Sequence, residues 1–206
     1  MRLIIITGAP ASGKSSIAEM VGRKLSIDVI SKDGYKIELF EKYGFTNHAE
    51  KKKLSIRGEQ MMNDSIRKHI EQNKDIIVDN NFKDFDNVRK AIDDNMTIVK
   101  VICILCKADY DILAKRYNDR IQSGNRHLAL YTLNQYPVIE GVSEFHPIID
   151  RDDVDRIEQT IKEQTFGDNV LEINTDHIEE EYNSICNEVI AYIRTCLHNF
   201  NERDNH

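Results

Sequence analysis

Residues 8–15 of the chain read GAPASGKS and place two glycines, a lysine and a serine at a spacing that can hold the phosphates of a nucleotide. In the pattern G-x-x-x-x-G-K-[ST], backbone N–H groups of the loop surround the α and β phosphates. The lysine reaches the β and γ phosphates, and the serine hydroxyl binds Mg²⁺. The residues predicted at this nucleotide site are Gly8, Ala9, Pro10, Ala11, Ser12, Gly13, Lys14, Ser15 and the adjacent Ser16.

The segments on either side of this loop provide the structural context that the motif requires. The apolar run of residues 3–7 predicts a buried strand before the loop, and apolar residues at helical spacing follow it. The N-terminus of such a helix adds its positive dipole end to the same anion. The alternative is a glycine turn that caps a helix without any ligand, and the strand–loop–helix order disfavours it.

Two aspartates follow apolar runs at positions where a parallel sheet binds ligands. Asp33 comes shortly after the run of residues 27–30, and Asp79 ends the run of residues 76–79. Ligands of open parallel sheets bind outside the carboxyl ends of the strands, so Asp33 is a candidate for acceptor chemistry. Asp79 is typical of a Walker B carboxylate that holds Mg²⁺ directly or through water. The alternatives are that Asp33 is only the N-cap of a helix over residues 35–41, and that Asp79 merely ends a buried strand.

Three arginines follow the fourth predicted strand. Arg116 and Arg120 are four residues apart in a helical pattern over residues 109–121, so they share one face, and Arg126 follows closely. They are either surface arginines paired with nearby aspartates or part of a closing lid. In a lid, arginines stabilise charge on a phosphoryl group in transfer, and Gly124 would supply the hinge.

The rest of the chain alternates between strand and helix patterns. Helices are predicted at residues 48–72, 84–93 and 151–164 and after residue 176, and strands at residues 97–105 and 169–173. Within the first of these helices the lysines at 51–53 are expected to form a solvated face. From residue 128 to 149 the periodicity fails, and we assign this irregular excursion to a lid or substrate wall. Five strands alternating with helices predict an α/β fold with a doubly wound, five-stranded parallel sheet flanked by helices.

Two cysteine and two histidine positions could suggest a metal site, but their spacing argues against one. Cys103 and Cys106 lie three apart in a strand, so their side chains point to opposite faces of the sheet. They are expected to be buried, reduced thiols. His127 and His146 are far apart in sequence and are expected at the surface.

Composition limits the class of protein further. A length of 206 residues suits one α/β domain over residues 1–206, with a lid or substrate excursion at about 121–150. The net charge of −7 argues against non-specific binding to nucleic acid as the main function. No leader peptide and no membrane-spanning stretch can be read, so we expect a cytoplasmic protein without a membrane partner.

The chain resembles small P-loop kinases of the AAA_33 type, which are related to polynucleotide kinase, chloramphenicol phosphotransferase and zeta toxins. The resemblance rests on four segments: residues 8–15, 30–33, 76–82 and 116–127. It implies a P-loop NTPase fold with the phosphate-loop strand central in the sheet, an arginine-bearing lid, and ATP with Mg²⁺ as phosphate donor.

The resemblance also implies roles for single residues. Lys14 matches the phosphate-binding lysine, Ser15 a magnesium ligand, and Asp33 the carboxylate that accepts a proton from the acceptor. The other implied residues are Arg120 and Arg126 as lid arginines, and Arg116, Asn174 and Thr175 beside the nucleotide. Ala11 stands where many relatives have glycine, and since alanine is small, little effect is expected. The excursion at residues 128–149 matches nothing clear in the family.

A carboxylate beside the γ-phosphate repels another anion but orients a neutral hydroxyl. The sequence therefore favours an ATP-dependent kinase whose acceptor is a hydroxyl of a small molecule such as a sugar, nucleoside or antibiotic. A polynucleotide 5′-hydroxyl kinase is a second possibility. A nucleotide-binding switch module that acts through a partner, or a zeta-type toxin, is a third.

Overall fold

The computed structural model describes residues 1–82, 85–96, 98–123, 126–147, 149–164, 166–167 and 169–203. Of residues 122 and 197–203 it describes the backbone only. Three sequence predictions fall partly or wholly outside the described residues: a helix that starts at Asp84, a strand that starts at Thr97, and a hinge at Gly124.

Five parallel strands form one sheet with the order β2-β3-β1-β4-β5. The strands are β1 (Arg2–Gly8), β2 (Asp28–Ser31), β3 (Ile76–Asp79), β4 (Lys100–Lys107) and β5 (Val170–Asn174). The predicted parallel sheet is confirmed, and the strand that leads into the phosphate loop lies at its centre. Because β1 is paired on both sides, the loop that follows it starts from an interior strand of the sheet.

Helices cover both faces of this sheet, as the doubly wound fold requires. They are α1 (Lys14–Leu25), α2 (Lys32–Tyr43), α3 (His48–Glu71), α4 (Asp86–Asp93), α5 (Tyr110–Ser123), α6 (Arg151–Glu163) and α7 (Ile178–Arg203). A short 3-10 turn, Leu128–Leu130, follows α5. No helix in the described part of the chain is both long enough and apolar enough to cross a membrane.

Side-chain alternation along the strands produces two separate cores. Ile4 and Ile6 of β1 face the core under α1 and α7, whereas Ile5 faces the core under α3, α4 and α6. Cys106 lies in the first core and Cys103 in the second, as their spacing predicts. Both thiols are free, and burial raises the pKa of Cys103 to about 12.

Residues 126–147, which we call the cover segment, pack against α2 and the start of α3. An isolated antiparallel bridge joins Phe45 to Tyr136, with N–H···O distances of 2.9 and 2.8 Å. Ala129 packs with Phe40 and Phe45 in a small apolar cluster. The irregular excursion therefore has defined anchors on the helix that carries Asp33.

The prediction of a solvated lysine face at residues 51–53 is wrong for one of its three members. Lys52 and Lys53 are exposed, but Lys51 is only 7% exposed. The cover segment causes the difference, because it folds over the first turn of α3 and encloses this side chain.

Candidate active site

The phosphate loop depends on two glycines that a larger residue would disrupt. Gly8 has a φ of +151°, and a Cβ there would lie 2.3 Å from the carbonyl oxygen of Cys106. Gly13, the N-cap of α1, has a φ of +79°, in the left-handed region. The absence of a side chain thus lets the start of the loop lie close to β4 at Gly8 and the end of the loop lie close to Ile178 at Gly13.

Ala11 also adopts a left-handed conformation, with a φ of 66°. The expectation that alanine matters little here, because it is small, is therefore wrong. The cost lies in the backbone conformation, which L residues other than glycine, asparagine and aspartate rarely adopt. Ala11 is buried in the loop, so the surrounding contacts hold it in this conformation.

The loop after β5 is hydrogen-bonded to the phosphate loop. Thr175 is fully buried, and its hydroxyl lies 3.0 Å from the carbonyl oxygen of Ser12 and 2.9 Å from that of Lys107. Arg116 donates hydrogen bonds of 2.8 Å to the carbonyl oxygens of Thr175 and Asp176. The side-chain amide of Asn174 donates a hydrogen bond to the carboxylate of Asp176 and accepts one from its backbone N–H. Thr175, which the resemblance places beside the nucleotide, thus positions the phosphate loop.

Lys14 and Asp79 lie together behind the loop. Lys14 donates a 3.2 Å hydrogen bond to the carbonyl oxygen of Ala9. Burial lowers the pKa of Lys14, while the charges of Asp79 and Asp33 oppose that shift. Burial likewise raises the pKa of Asp79, against the effect of Lys14. Each charged form is short of solvation, so a ligand that carries both phosphates and a cation would stabilise both side chains.

The oxygens that a magnesium ion would need are present. Among the described residues, Asp79 Oδ1 and Ser12 Oγ are buried without a hydrogen-bond partner. The Ser15 hydroxyl is next to Asp79 and favours its charged form. Carboxylate and hydroxyl oxygens are the ligands that Mg²⁺ prefers, so Ser15 and Asp79 fit the roles that the sequence predicts.

Asp33 reaches the same edge of the sheet from the neighbouring strand. Ser31, the last residue of β2, is paired with Asp79 of β3, and Asp33 follows two residues later. The N-cap of α2 is Ser31 and not Asp33, because the Ser31 hydroxyl accepts a 2.9 Å hydrogen bond from the N–H of Gly34. The alternative assignment of Asp33 as a cap is therefore wrong, and its carboxylate is free for other contacts.

Two cations hold the Asp33 carboxylate. Lys36, one turn later on α2, donates a 2.9 Å hydrogen bond to it, and Arg126 forms an ion pair with its other oxygen. Burial alone would raise the pKa of Asp33, but Lys36 and Arg126 outweigh this and lower it to about 2. Asp33 is therefore ionised throughout the neutral range.

The three predicted arginines have different partners. Arg126 faces Asp33 and lies over the ring of Tyr131, with 5.6 Å between the guanidinium carbon and the ring centroid. Burial, followed by the charge of Arg126, lowers the pKa of Arg120, so Arg120 lies near Arg126. Arg116 and Arg120 both line a cavity of about 560 Å³. Its other lining residues include Ala11, Gly13, Ser16 and Tyr182. Because Ala11 and Gly13 are among the lining residues, this cavity begins beside the phosphate loop.

The structure brings to this region three residues for which the sequence analysis predicts no catalytic or binding role. Lys36 is paired with Asp33, and its i+3 spacing on the same helix is a signal that the sequence does contain. Tyr131 is 2% exposed beneath Arg126, and Lys51 is buried next to the cover segment. Neither has a sequence signal, because both depend on how the cover segment folds.

His127 and His146 are half-buried and partnered, which corrects the expectation of surface histidines. The ring of His127 lies 2.7 Å from a carboxylate oxygen of Glu41, which also accepts a hydrogen bond from the Tyr136 hydroxyl. These contacts fix the cover segment to α2 at two points, near its start at His127 and near its middle at Tyr136.

The comparisons with known proteins agree with this geometry. A presumed kinase from Chloroflexus aurantiacus J-10-fl has a similar structure, with a TM-score of 0.71 at 21% identity, over 93% of this chain and 97% of its own. A gluconokinase from Sinorhizobium meliloti 1021 gives a TM-score of 0.59 at 12% identity, over 98% and 96%. A shikimate kinase from Bacteroides thetaiotaomicron gives 0.50 at 17% identity, over 94% and 98%. At these identities the likeness concerns the fold.

No curated protein sequence matches the chain. The family model AAA_33, described as an AAA domain, matches residues 3–135, which include the phosphate loop and the residues Asp33, Asp79 and Arg126. Because this match spans more than half of the chain, the chain belongs to the AAA_33 family.

Proposed function

We propose that this protein transfers the γ-phosphate of ATP to a hydroxyl group of a small molecule. The observation that carries the proposal is the proximity of Lys14, Asp79 and Asp33 at one edge of the sheet. A phosphate-binding lysine and a metal-binding carboxylate beside a second, ionised carboxylate are the groups that phosphoryl transfer to an alcohol needs. Membership in AAA_33 and the fold shared with kinases support the same reaction class.

The donor would occupy the phosphate loop and the adjoining cavity. Its phosphates would accept hydrogen bonds from loop N–H groups and from Lys14, and its base would extend between Arg116 and Tyr182. Ser15 and Asp79 would hold Mg²⁺, which when bound neutralises negative charge on the phosphates. The γ-phosphate would then lie between the metal-binding residues Ser15 and Asp79 and the Asp33 carboxylate.

Asp33 would orient the acceptor hydroxyl. A carboxylate with a pKa of about 2 is a weak base, so its first contribution is a hydrogen bond that points the hydroxyl oxygen at the γ-phosphorus. As the new oxygen–phosphorus bond forms, the bond between that phosphorus and the leaving oxygen of ADP breaks. The hydroxyl proton becomes strongly acidic in this process and passes to the Asp33 carboxylate.

Arg126 would compensate the charge of the group in transfer. It is paired with Asp33, so it lies where the proposed donor and acceptor would meet. A γ-phosphate arriving beside Asp33 offers Arg126 a more highly charged partner. Arg120, on the cavity side, would contact the phosphates from the other flank.

The test is ADP release from ATP and Mg²⁺ in the presence of sugars, nucleosides, aminoglycosides, hydroxy acids and 5′-hydroxyl oligonucleotides. Stimulation by a small alcohol that Asp33→Asn abolishes would support the proposal. Asp64→Asn, the same chemical change at an exposed position on α3, serves as the matched control and should leave the rate unchanged. Slow hydrolysis that no acceptor stimulates and that Asp33→Asn leaves unchanged would favour a switch module instead.

Phosphorylation of nucleic-acid ends is the second candidate. The cations Lys36, Lys51 and Arg126 near Asp33 favour it, because a strand end brings phosphodiesters with its hydroxyl. The net charge of −7 counts against it. If oligonucleotides alone stimulate ADP release, phosphorylation of nucleic-acid ends would be favoured over phosphorylation of a small molecule.

A further inference from the structure

A lysine ammonium is enclosed beside the candidate acceptor site with only neutral acceptors around it. Lys51 Nζ contacts the carbonyl oxygen of Thr132 and lies 3.4 Å from that of Leu130 and 3.4 Å from Nε2 of His146. Among the described residues, no carboxylate lies within ion-pair distance of Lys51. Buried charges are normally paired, so this arrangement calls for a reason.

The nearby charges do not compensate Lys51. Lys36 adds a further positive charge, and among the described residues Asp33 is the carboxylate whose charge acts on the pKa of Lys51. Asp33 is already shared between Lys36 and Arg126. Three cations thus stand against one carboxylate, and the region has an excess of positive charge although the chain as a whole carries −7.

The pKa values of Lys51 and His146 are both lowered, as a shortage of nearby negative charge would cause. Burial, together with Lys36, lowers the pKa of Lys51 to about 8. Burial, with Lys51, Lys36 and His48, lowers the pKa of His146 to about 4. An anion placed among these groups would oppose both shifts and would be bound by the same charges.

The region also offers an unused polar atom. Thr132 is fully buried, and its hydroxyl oxygen has no hydrogen-bond partner among the described residues. It belongs to the residue whose carbonyl oxygen contacts Lys51, so this hydroxyl lies within one residue of that contact. An ammonium, a hydroxyl and an imidazole are thus in one region, and each of these groups can donate a hydrogen bond to an anion's oxygens.

Building on the proposed function, we propose that Lys51, Thr132 and His146 form a subsite for an anionic group on the acceptor. The acceptor would then be a small hydroxyl compound with a carboxylate or a phosphate remote from the reacting oxygen. Asp33 would hold the neutral hydroxyl, and the excess positive charge behind it would hold the negative end. This arrangement fixes the orientation of the acceptor by its two ends.

Matched acceptors test the subsite by kinetics. The panel pairs a neutral sugar with the sugar acid and with the sugar phosphate of the same carbon skeleton, and so separates carboxylate from phosphate. The native protein should prefer one of the anionic members. Lys51→Gln should raise KM for that member about tenfold or more while leaving KM for the neutral sugar within twofold.

Two further variants separate charge recognition from a structural role. Lys51→Arg keeps the positive charge and should keep the preference for the anionic member. Lys52→Gln removes the same charge from the exposed neighbour on α3 and should change neither KM. An equal KM increase for neutral and anionic sugars in Lys51→Gln would overturn the proposal, as would a preference of the native protein for oligonucleotides over all small anions.

A binding measurement keeps the subsite testable without turnover. With ADP and Mg²⁺ saturating the phosphate loop, inorganic phosphate and acetate are titrated separately while the His146 ring is followed by NMR, assigned with His146→Gln. One of the two anions should raise the pKa of His146, and Lys51→Gln should weaken that effect. If neither anion moves His146, the subsite is refuted even if the protein proves to be a kinase. If no acceptor stimulates ADP release but His146 responds, the kinase proposal fails and the anion subsite stands.

Discussion

Arg126 and Asp33 form an ion pair across 93 residues of sequence and join the start of the cover segment to the first turn of α2. The two groups belong to different parts of the proposed reaction, since Arg126 would serve the transferred phosphate and Asp33 the acceptor hydroxyl. Each side chain balances the charge of the other in this pair. The ion pair therefore fixes the position of Asp33 relative to the cover segment.

Removing Arg126 should change the acidity of Asp33. Arg126→Ala leaves Lys36 as the main partner, so the pKa of Asp33 should rise from about 2 towards its ordinary 3.8. The side-chain carboxyl of Asp33, followed by carbon NMR against pH, reports this directly. Arg120→Ala, which removes an arginine that is not paired with Asp33, is the control and should leave the titration in place.

The same ion pairs predict how stability depends on pH. The folded pKa of Asp33 lies below its unfolded value, so the stabilising effect of Lys36 and Arg126 is fully present above pH 3.8. It is lost as the pH falls through about 2, because the carboxylate is then protonated in both states. The free energy of unfolding, measured with urea at pH 3 and at pH 6, should differ less between the two pH values in Asp33→Asn than in the native protein. An unchanged difference would contradict the pairing.

Lys14 should be essential for turnover but not for folding. Lys14→Ala should lower ATP turnover by about 10²- to 10³-fold, because the lysine neutralises charge on the phosphates in the transition state. The melting temperature should stay close to that of the native protein, since the side chain is a desolvated cation. Lys24→Ala, an exposed lysine on the same helix, should preserve both quantities. Normal turnover in Lys14→Ala would refute the phosphate-loop assignment.

Ala11→Gly should stabilise the protein. Glycine adopts a φ of 66° without the steric cost that alanine bears, which is worth about 1 kcal/mol. For a chain of this size the melting temperature should rise by about 2 to 4 °C. Ala18→Gly, in the middle of α1, provides the contrast, because glycine there should lower the melting temperature.

The Thr175 hydroxyl should couple the loop after β5 to nucleotide binding. Thr175→Val keeps the shape but leaves the carbonyl oxygens of Ser12 and Lys107 without this donor, at a cost of about 1 to 2 kcal/mol. ADP should also bind more weakly, because Ser12 lies within the phosphate loop. Thr175→Ser retains the hydroxyl and should restore affinity. Urea unfolding and ADP titration measure the two effects, and unchanged affinity in the valine variant would show that the loop does not need this support.

Much of the fold could be predicted because its signals are local. Apolar runs such as residues 3–7 and 76–79 define buried strands, and the spacing within residues 8–15 defines the loop between strand and helix. The sequence does not decide which of two neighbouring residues caps a helix. Ser31 and Asp33 are both good N-cap residues, and the helix begins at Lys32, nearly one turn earlier than the sequence pattern suggests.

Contacts between distant parts of the chain could not be predicted. Lys51 reads as part of a polar run, and its burial depends on Thr132, 81 residues later. Thr175 supports Ser12 across 163 residues. The strain at Ala11 is likewise a property of backbone angle, which the size of a side chain does not reveal.

The position of β2 in the sheet has a consequence for how such a protein can change over evolutionary time. β2 is a four-residue edge strand with its first two residues exposed, whereas β1 is buried at the centre and paired on both sides. Replacements near the edge disturb few neighbours, while replacements near the centre disturb both cores. Under the proposed function, the half that binds the phosphate donor would be tied to the integrity of the whole molecule, whereas the half that begins with Asp33 would tolerate more change. New acceptors would then arise from replacements at the margin of the sheet, away from the phosphate loop.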